Sequence, residues 1–175
     1  HHLSSRCSVV LSLDLFESGQ LQEAVSIAES PLADINATPH ISLAVFDEVD
    51  QKRLTGVVQE FAHQVSSFQI RLSAVGMFPG PRNIVFLLAS PTERLVGLHR
   101  AFHRRLISSG LEPDCKYAPE AWVPHCTICM DLTLEKSLTV FKALKICQVY
   151  GLYNLLEVKI VTLRPPEEIA SFPLA

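Results

Sequence analysis

Charge is scarce in this chain. Only 19% of its 175 residues are Asp, Glu, Lys or Arg, and the formal net charge is −3. That balance argues against a broad basic face for duplex DNA, whose grip depends on neutralising many phosphates. A local basic cleft remains compatible with it. Long apolar runs are missing as well. Although 48% of the residues are hydrophobic, no run approaches the ~20 residues of a membrane span, so no membrane partner is expected. A secretory signal's basic, apolar and cleavage regions are not found at the start of the chain. Cysteine is few and odd in number: Cys7, Cys115, Cys126, Cys129 and Cys147. An odd set spread over strands and helices excludes a disulfide framework and predicts reduced, buried thiols in a cytoplasmic or nuclear protein. The start at His1-His2 without Met predicts that residues 1–7 are a tag remnant or disordered start, with one domain over 8–175.

What is present is a folded α/β pattern. A chain of this length buries a sizeable core. Strands are predicted over Ser8–Leu15, His40–Phe46, Phe68–Met77, Asn83–Ala89, His125–Leu132 and Leu155–Leu163, the last closing before Pro165-Pro166. Helices are predicted over Gln20–Ala28, Leu54–Val65, Thr92–Ser108 and Leu134–Val149 from their apolar spacing. Pro79-Gly80-Pro81 forces a turn, and Gly110 ends the third helix.

One phrase occurs twice. Pro39-His40-Ile41-Ser42 and Pro124-His125-Cys126-Thr127 are both Pro-His-x-(Ser/Thr), each followed by an aliphatic residue and each opening a predicted strand. His2-Leu3-Ser4 fits the triplet but lacks the proline and falls in the expected terminal remnant. Side chains alternate along a strand, so His40 and Ser42 share one face and His125 and Thr127 share another. Ile41, Leu43 and Val45, like Cys126, Ile128 and Met130, are expected on the opposite, apolar faces. If the two polar faces meet, four side chains converge on one small anion. A phosphodiester suits such a site. One neutral imidazole takes a proton from water, a protonated one gives a proton to the leaving oxygen, and histidine titrates in the right range for both. The hydroxyls donate to the non-bridging oxygens. The scheme needs no metal and no cofactor.

The paired motif resembles that of the 2H phosphoesterase superfamily, in its branch of 2′-5′ RNA ligase-like proteins and RNA 2′,3′-cyclic phosphodiesterases. Val75-Gly76-Met77-Phe78-Pro79-Gly80-Pro81-Arg82 is similar to that family's segment between the motifs, and Trp122-Val123-Pro124-His125 to its usual lead-in to the second. The resemblance runs from about Ser8 to Leu163. It implies a bilobal α/β (α+β) fold, with two antiparallel sheets and outer helices around a central cleft. It also implies metal-independent hydrolysis of 2′,3′-cyclic phosphates of nucleotides or RNA ends. On that analogy His40 and His125 are catalytic, and Ser42 and Thr127 bind phosphate. Ser42 stands where many relatives have Thr, which keeps the hydroxyl. Which histidine is the base stays open. The alternatives are a non-catalytic nucleotide-binding module of the same fold and a 2′-5′ ligase or 2′-5′ oligonucleotide phosphodiesterase.

Other residues qualify less directly. Arg82, after the Pro-Gly-Pro turn, is a bidentate phosphate donor or a solvated loop residue. Phe78 and Trp122 are candidates for stacking on a base, with core burial the competing role for Phe78. His99 and His103 have the i, i+4 spacing of metal ligands, but no third ligand is near, and the run His-Arg-Ala-Phe-His-Arg-Arg reads as a solvated basic face. Cys126 and Cys129 are expected on opposite sides of their strand, with Cys129 sharing the face of His125. The expected partner is a nucleotide or RNA carrying a cyclic phosphate, bound by a monomer.

Overall fold

The computed structural model describes residues 3–4, 6–14, 39–163 and 166–175. The expected helix at Gln20–Ala28 lies outside the described residues. In chain order the elements are β1 (Leu3–Ser4), β2 (Cys7–Leu13), β3 (His40–Phe46), β4 (Val49–Asp50), α1 (Gln51–Gln64), β5 (Gln69–Met77), β6 (Val85–Ala89), α2 (Glu93–Ser108), a 3-10 turn (Cys115–Tyr117), β7 (His125–Cys129), α3 (Leu134–Ile146), β8 (Gly151–Leu163) and β9 (Pro166–Pro173). Each helix starts where a side chain caps it. Asp50, Thr92 and Thr133 accept from the amides of Arg53, Leu95 and Lys136, satisfying donors with no intrahelical partner.

Among the described residues, β1 and β4 form a small two-stranded sheet of their own. The other seven strands do not divide into two sheets but form one antiparallel sheet in the order β3-β2-β8-β5-β6-β7, with β9 also paired to β8. The 13-residue strand β8 is the reason. Its first residues, Gly151–Asn154, pair with β5, and Leu155–Thr162 pair with β2. Sequence periodicity placed only the second part in a strand. The carboxy-terminal strand β9 was not expected, since Pro165-Pro166 reads as a stop. Proline is nonetheless tolerated at the first residue of an edge strand, and Pro166 pairs there with Leu163.

Helix α3 packs on β5 and β6, while α1 packs on α2, β8 and β9. The core between helices and sheet includes Leu11, Leu13, Ile41, Leu43, Leu54, Phe102 and Leu106, all fully buried. The two ends of the sheet path, β3 and β7, pack against one another. The path therefore curls until the two motif strands are neighbours. Among the described residues no helix is long and apolar enough to cross a membrane. Cys115 is exposed rather than buried.

Candidate active site

Both motifs are built by one device. In each, the proline carbonyl accepts the first bond from the adjacent strand: Leu13 N–H to Pro39 at 2.9 Å, and Ala89 N–H to Pro124 at 3.0 Å. Proline has no N–H of its own to pair, so it suits the threshold of a strand. The histidine, the buried x residue and the hydroxyl residue follow in regular register. The ladder then skips one residue. On β2, Val10 faces Ser42 but Val9 faces Ala44, which leaves Leu43 as a bulge. On β6, Phe86 faces Thr127 but Val85 faces Cys129, which leaves Ile128 as a bulge. The two strands thus carry a bulge at the same place, immediately after the hydroxyl. Bulges bend a strand and re-aim its side chains.

The bulges correct two expectations drawn from strict alternation. Val45 pairs with Ser8 and lies on the motif face, not the apolar one. Cys129 pairs with Val85 and turns to the core side with Cys126 and Ile128, where all three are buried. Cys129 therefore does not line the cleft, and the two thiols share a side. Burial pushes the Cys126 thiol up to about 12, against the opposing effect of a hydrogen bond from the His40 backbone. That bond ties the second motif strand to the first.

His40, Ser42, His125 and Thr127 are all half-buried, while Ile41 and Cys126 between them are buried. The first motif rests on polar partners. Ser8 Oγ, on β2, lies 3.3 Å from Ser42 Oγ and 3.4 Å from the Ala44 carbonyl. Ser8 has one hydrogen for these two acceptors and so links the Ser42 hydroxyl to the backbone of its own strand. Ser12 is the strand partner of His40, and its buried hydroxyl has no hydrogen-bond partner. Ser8 and Ser12 went unnoticed in the sequence. Their signal was a pair of hydroxyls four apart in a strand that is otherwise apolar on both faces.

The second motif rests on aromatic rings. Phe78 stacks on Phe86 at 4.2 Å, and both meet His125 edge-on, at 4.8 and 5.4 Å. Phe78 is thus part of the wall behind His125. Phe86 lies across Gly76, where an added Cβ would stand 2.5 Å from the ring, so only glycine admits it. His125 Nδ1 is 2.6 Å from the Val123 carbonyl. A carbonyl only accepts, so Nδ1 carries the hydrogen and Nε2 of the neutral ring keeps its lone pair. Burial holds the His125 pKa below its ordinary 6.5, outweighing the Val123 carbonyl, which raises it.

The remaining candidates are placed as follows. Arg82 is exposed and gives its fork to Asp131, with Nε to Oδ1 at 3.0 Å and Nη2 to Oδ2 at 2.7 Å. Asp131 sits in the left-handed region at φ 62 and donates its N–H to the Arg82 carbonyl. The pair clasps the β5–β6 turn to the end of β7. Trp122 is half-buried, with its indole N–H bonded to the Ser42 carbonyl at 3.0 Å and one face stacked on His99 at 3.8 Å. His99 and His103 are not a solvated face. They are 1% and 2% exposed, because they continue the buried stripe of Leu95, Phe102 and Leu106 on α2. Both place Nε2 on the Leu43 carbonyl, at 3.0 and 2.8 Å. Burial drives His99 down to about 3 and also lowers His103. Among the described residues, no group of three or more His, Cys, Asp or Glu side chains is arranged to hold a metal ion.

Known proteins are similar to this chain in sequence or in fold. An RNA 2′,3′-cyclic phosphodiesterase of Methanothermobacter thermautotrophicus is 25% identical over 129 residues, covering 67% of each chain. A Bacillus licheniformis protein provisionally named a phosphoesterase is 28% identical over 110 residues, and the match spans 61% of each chain. Escherichia coli LigT, solved in complex with 3′-AMP, superposes with a TM-score of 0.64 over 99% of both chains at 16% identity, a likeness of fold. A family model described as the 2′-5′ RNA ligase superfamily matches residues 20–158. With that span of the sequence matched, and two bulged His-x-(Ser/Thr) strands side by side, the chain belongs to the 2′-5′ RNA ligase superfamily of 2H phosphoesterases.

Proposed function

We propose that this protein hydrolyses 2′,3′-cyclic phosphates of nucleotides or RNA ends through His40 and His125, without a metal. The observation that carries the reading is the pairing of two alike strands, each presenting one imidazole and one hydroxyl ahead of a bulge. A cyclic phosphodiester needs proton transfer on both sides of phosphorus. Its anionic oxygens need donors between them. Ser42 and Thr127 supply those donors, and their bonds strengthen as charge grows on the phosphoryl oxygens.

His125 is assigned as the base. Its Nδ1–H is committed to the Val123 carbonyl, and burial favours its neutral form. Nε2 takes the proton of the attacking water, the water oxygen bonds to phosphorus, and one ring P–O bond breaks. His40 gives its proton to the departing ribose oxygen. Two residues proposed for binding take narrower roles. Arg82 reaches a phosphate only with the part of its guanidinium that Asp131 leaves, and Trp122 offers a base only the face turned away from His99.

The test is turnover in EDTA of a panel of 2′,3′-cyclic nucleotides and of a short RNA with a cyclic-phosphate end. The expected result is a nucleoside monophosphate of a single regiochemistry. Binding without turnover across the panel would replace this reading with that of a nucleotide-binding module. Activity lost in EDTA and restored by a divalent ion would end the metal-free scheme.

A further inference from the structure

We infer that Trp122, His99 and His103 form a buried positioning unit that sets the Ser42 hydroxyl by holding the backbone of the bulge at Ser42-Leu43. None of the three touches the reacting atoms in this assignment. It rests on the reading of Ser42 as a phosphate-binding group.

In a regular strand, consecutive carbonyls point to opposite edges. Here the carbonyls of Ser42 and Leu43 are both taken by one stacked pair of rings. The Trp122 indole N–H donates to Ser42 at 3.0 Å, His99 reaches Leu43 at 3.0 Å, and the two rings lie 3.8 Å apart and nearly parallel, at 4°. The bulge makes this possible, because Leu43 has no partner in the β2 register. His103 adds a second contact to the same Leu43 oxygen at 2.8 Å. An oxygen with two lone pairs is thereby saturated, and both imidazoles must carry hydrogen on Nε2. Burial favours the neutral rings this requires.

This unit joins three parts of the chain: α2, the lead-in to the second motif, and the first motif strand. The Ser42 Cα–Cβ bond leaves from the peptide that Trp122 grips. A small rotation of that peptide would swing the hydroxyl away from the phosphoryl oxygen and from Ser8.

A double-mutant cycle tests the inference. Trp122→Phe keeps a ring against His99 and removes the N–H. It should lower kcat/KM for a 2′,3′-cyclic nucleotide about tenfold, with thermal unfolding little changed. In a Ser42→Ala background the same substitution should cost less than about twofold, because the group it positions is gone. His103→Gln, which keeps a donor at the same reach, should retain activity that His103→Leu loses. Inorganic phosphate binding, measured by calorimetry across the same cycle, gives a readout independent of turnover. Phosphate binding with a coupled cycle but no turnover would remove the hydrolase reading and leave the positioning unit standing. Turnover with fully additive effects of Trp122→Phe and Ser42→Ala would overturn the positioning unit and leave the hydrolase standing. A protein that neither turns over nor binds phosphate would overturn both.

Discussion

The two motifs are alike in sequence and in backbone, yet they are supported in opposite ways. Around the first, contacts are hydrogen bonds: Ser8 to Ser42, Trp122 to the Ser42 carbonyl, and two imidazoles to Leu43. Around the second, a hydrogen bond from His125 to the Val123 carbonyl is joined by ring contacts from Phe78 and Phe86 against His125. Polar support fixes the direction of a group, here with partners that are themselves buried, Ser8, His99 and His103. Aromatic support desolvates, and a desolvated imidazole resists a proton. Burial behind the second motif thus disfavours the protonated form of His125.

The comparison can be broken most severely at the imidazoles. His40→Ala and His125→Ala should each lower kcat by roughly 10²–10⁴-fold, measured on a cyclic nucleotide. Their pH profiles should differ. The base must be neutral, so its limb falls on the acid side, at a pH below the ordinary 6.5 because His125 is shifted down. His125→Ala should erase that acid limb and His40→Ala should leave it. The opposite pattern would exchange the two roles.

A smaller effect isolates the aromatic side. In Gly76→Ala the new methyl would meet Phe86 at 2.5 and 2.8 Å, and Phe86 cannot yield without pressing on Phe78 and His125. Overpacking of this kind costs about 1–3 kcal/mol, read by denaturant unfolding. Activity should fall with it, while phosphate contacts from Ser42 stay intact. An unchanged kcat in a destabilised protein would detach the ring wall from catalysis.

Acid should weaken the polar side through its two buried histidines. His99 is held neutral down to about 3 and His103 is also shifted down, whereas in the unfolded chain both titrate near 6.5. As pH falls below about 6.5 the unfolded state gains protons that the folded state refuses. Stability present above that pH is therefore lost, at up to roughly 1.4 kcal/mol per pH unit for each histidine. His103→Gln should flatten the slope. Urea unfolding at several pH values between neutrality and pH 4 measures it, and a flat wild-type profile would mean that the buried rings accept protons in place.

Much of the candidate site was legible because its signal is local. The spacing of His40 to Ser42 and of His125 to Thr127 survives any detail of pairing. The bulges at Leu43 and Ile128 are written in the register of β2 and β6, which no single strand's sequence displays, so the sides of Val45 and Cys129 were misassigned. The burial of His99 and His103 was available: both extend the stripe from Leu95 at helical spacing. The flanking arginines, all on the solvent side, concealed it. Strand β9 was hidden behind Pro165-Pro166, since proline reads as a break until an edge strand gives it a place.

Strand β8 carries one further consequence. Its opening residues belong to the ladder that supports His125, and the rest to the ladder that supports His40. With no linker between these halves, neither can open like the jaw of a hinge. The relative placement of the two motif strands is then tied to the twist of one continuous strand. Amide exchange along Gly151–Leu163 should accordingly proceed as one cooperative event, because loss of either half unseats the shared rung of the other.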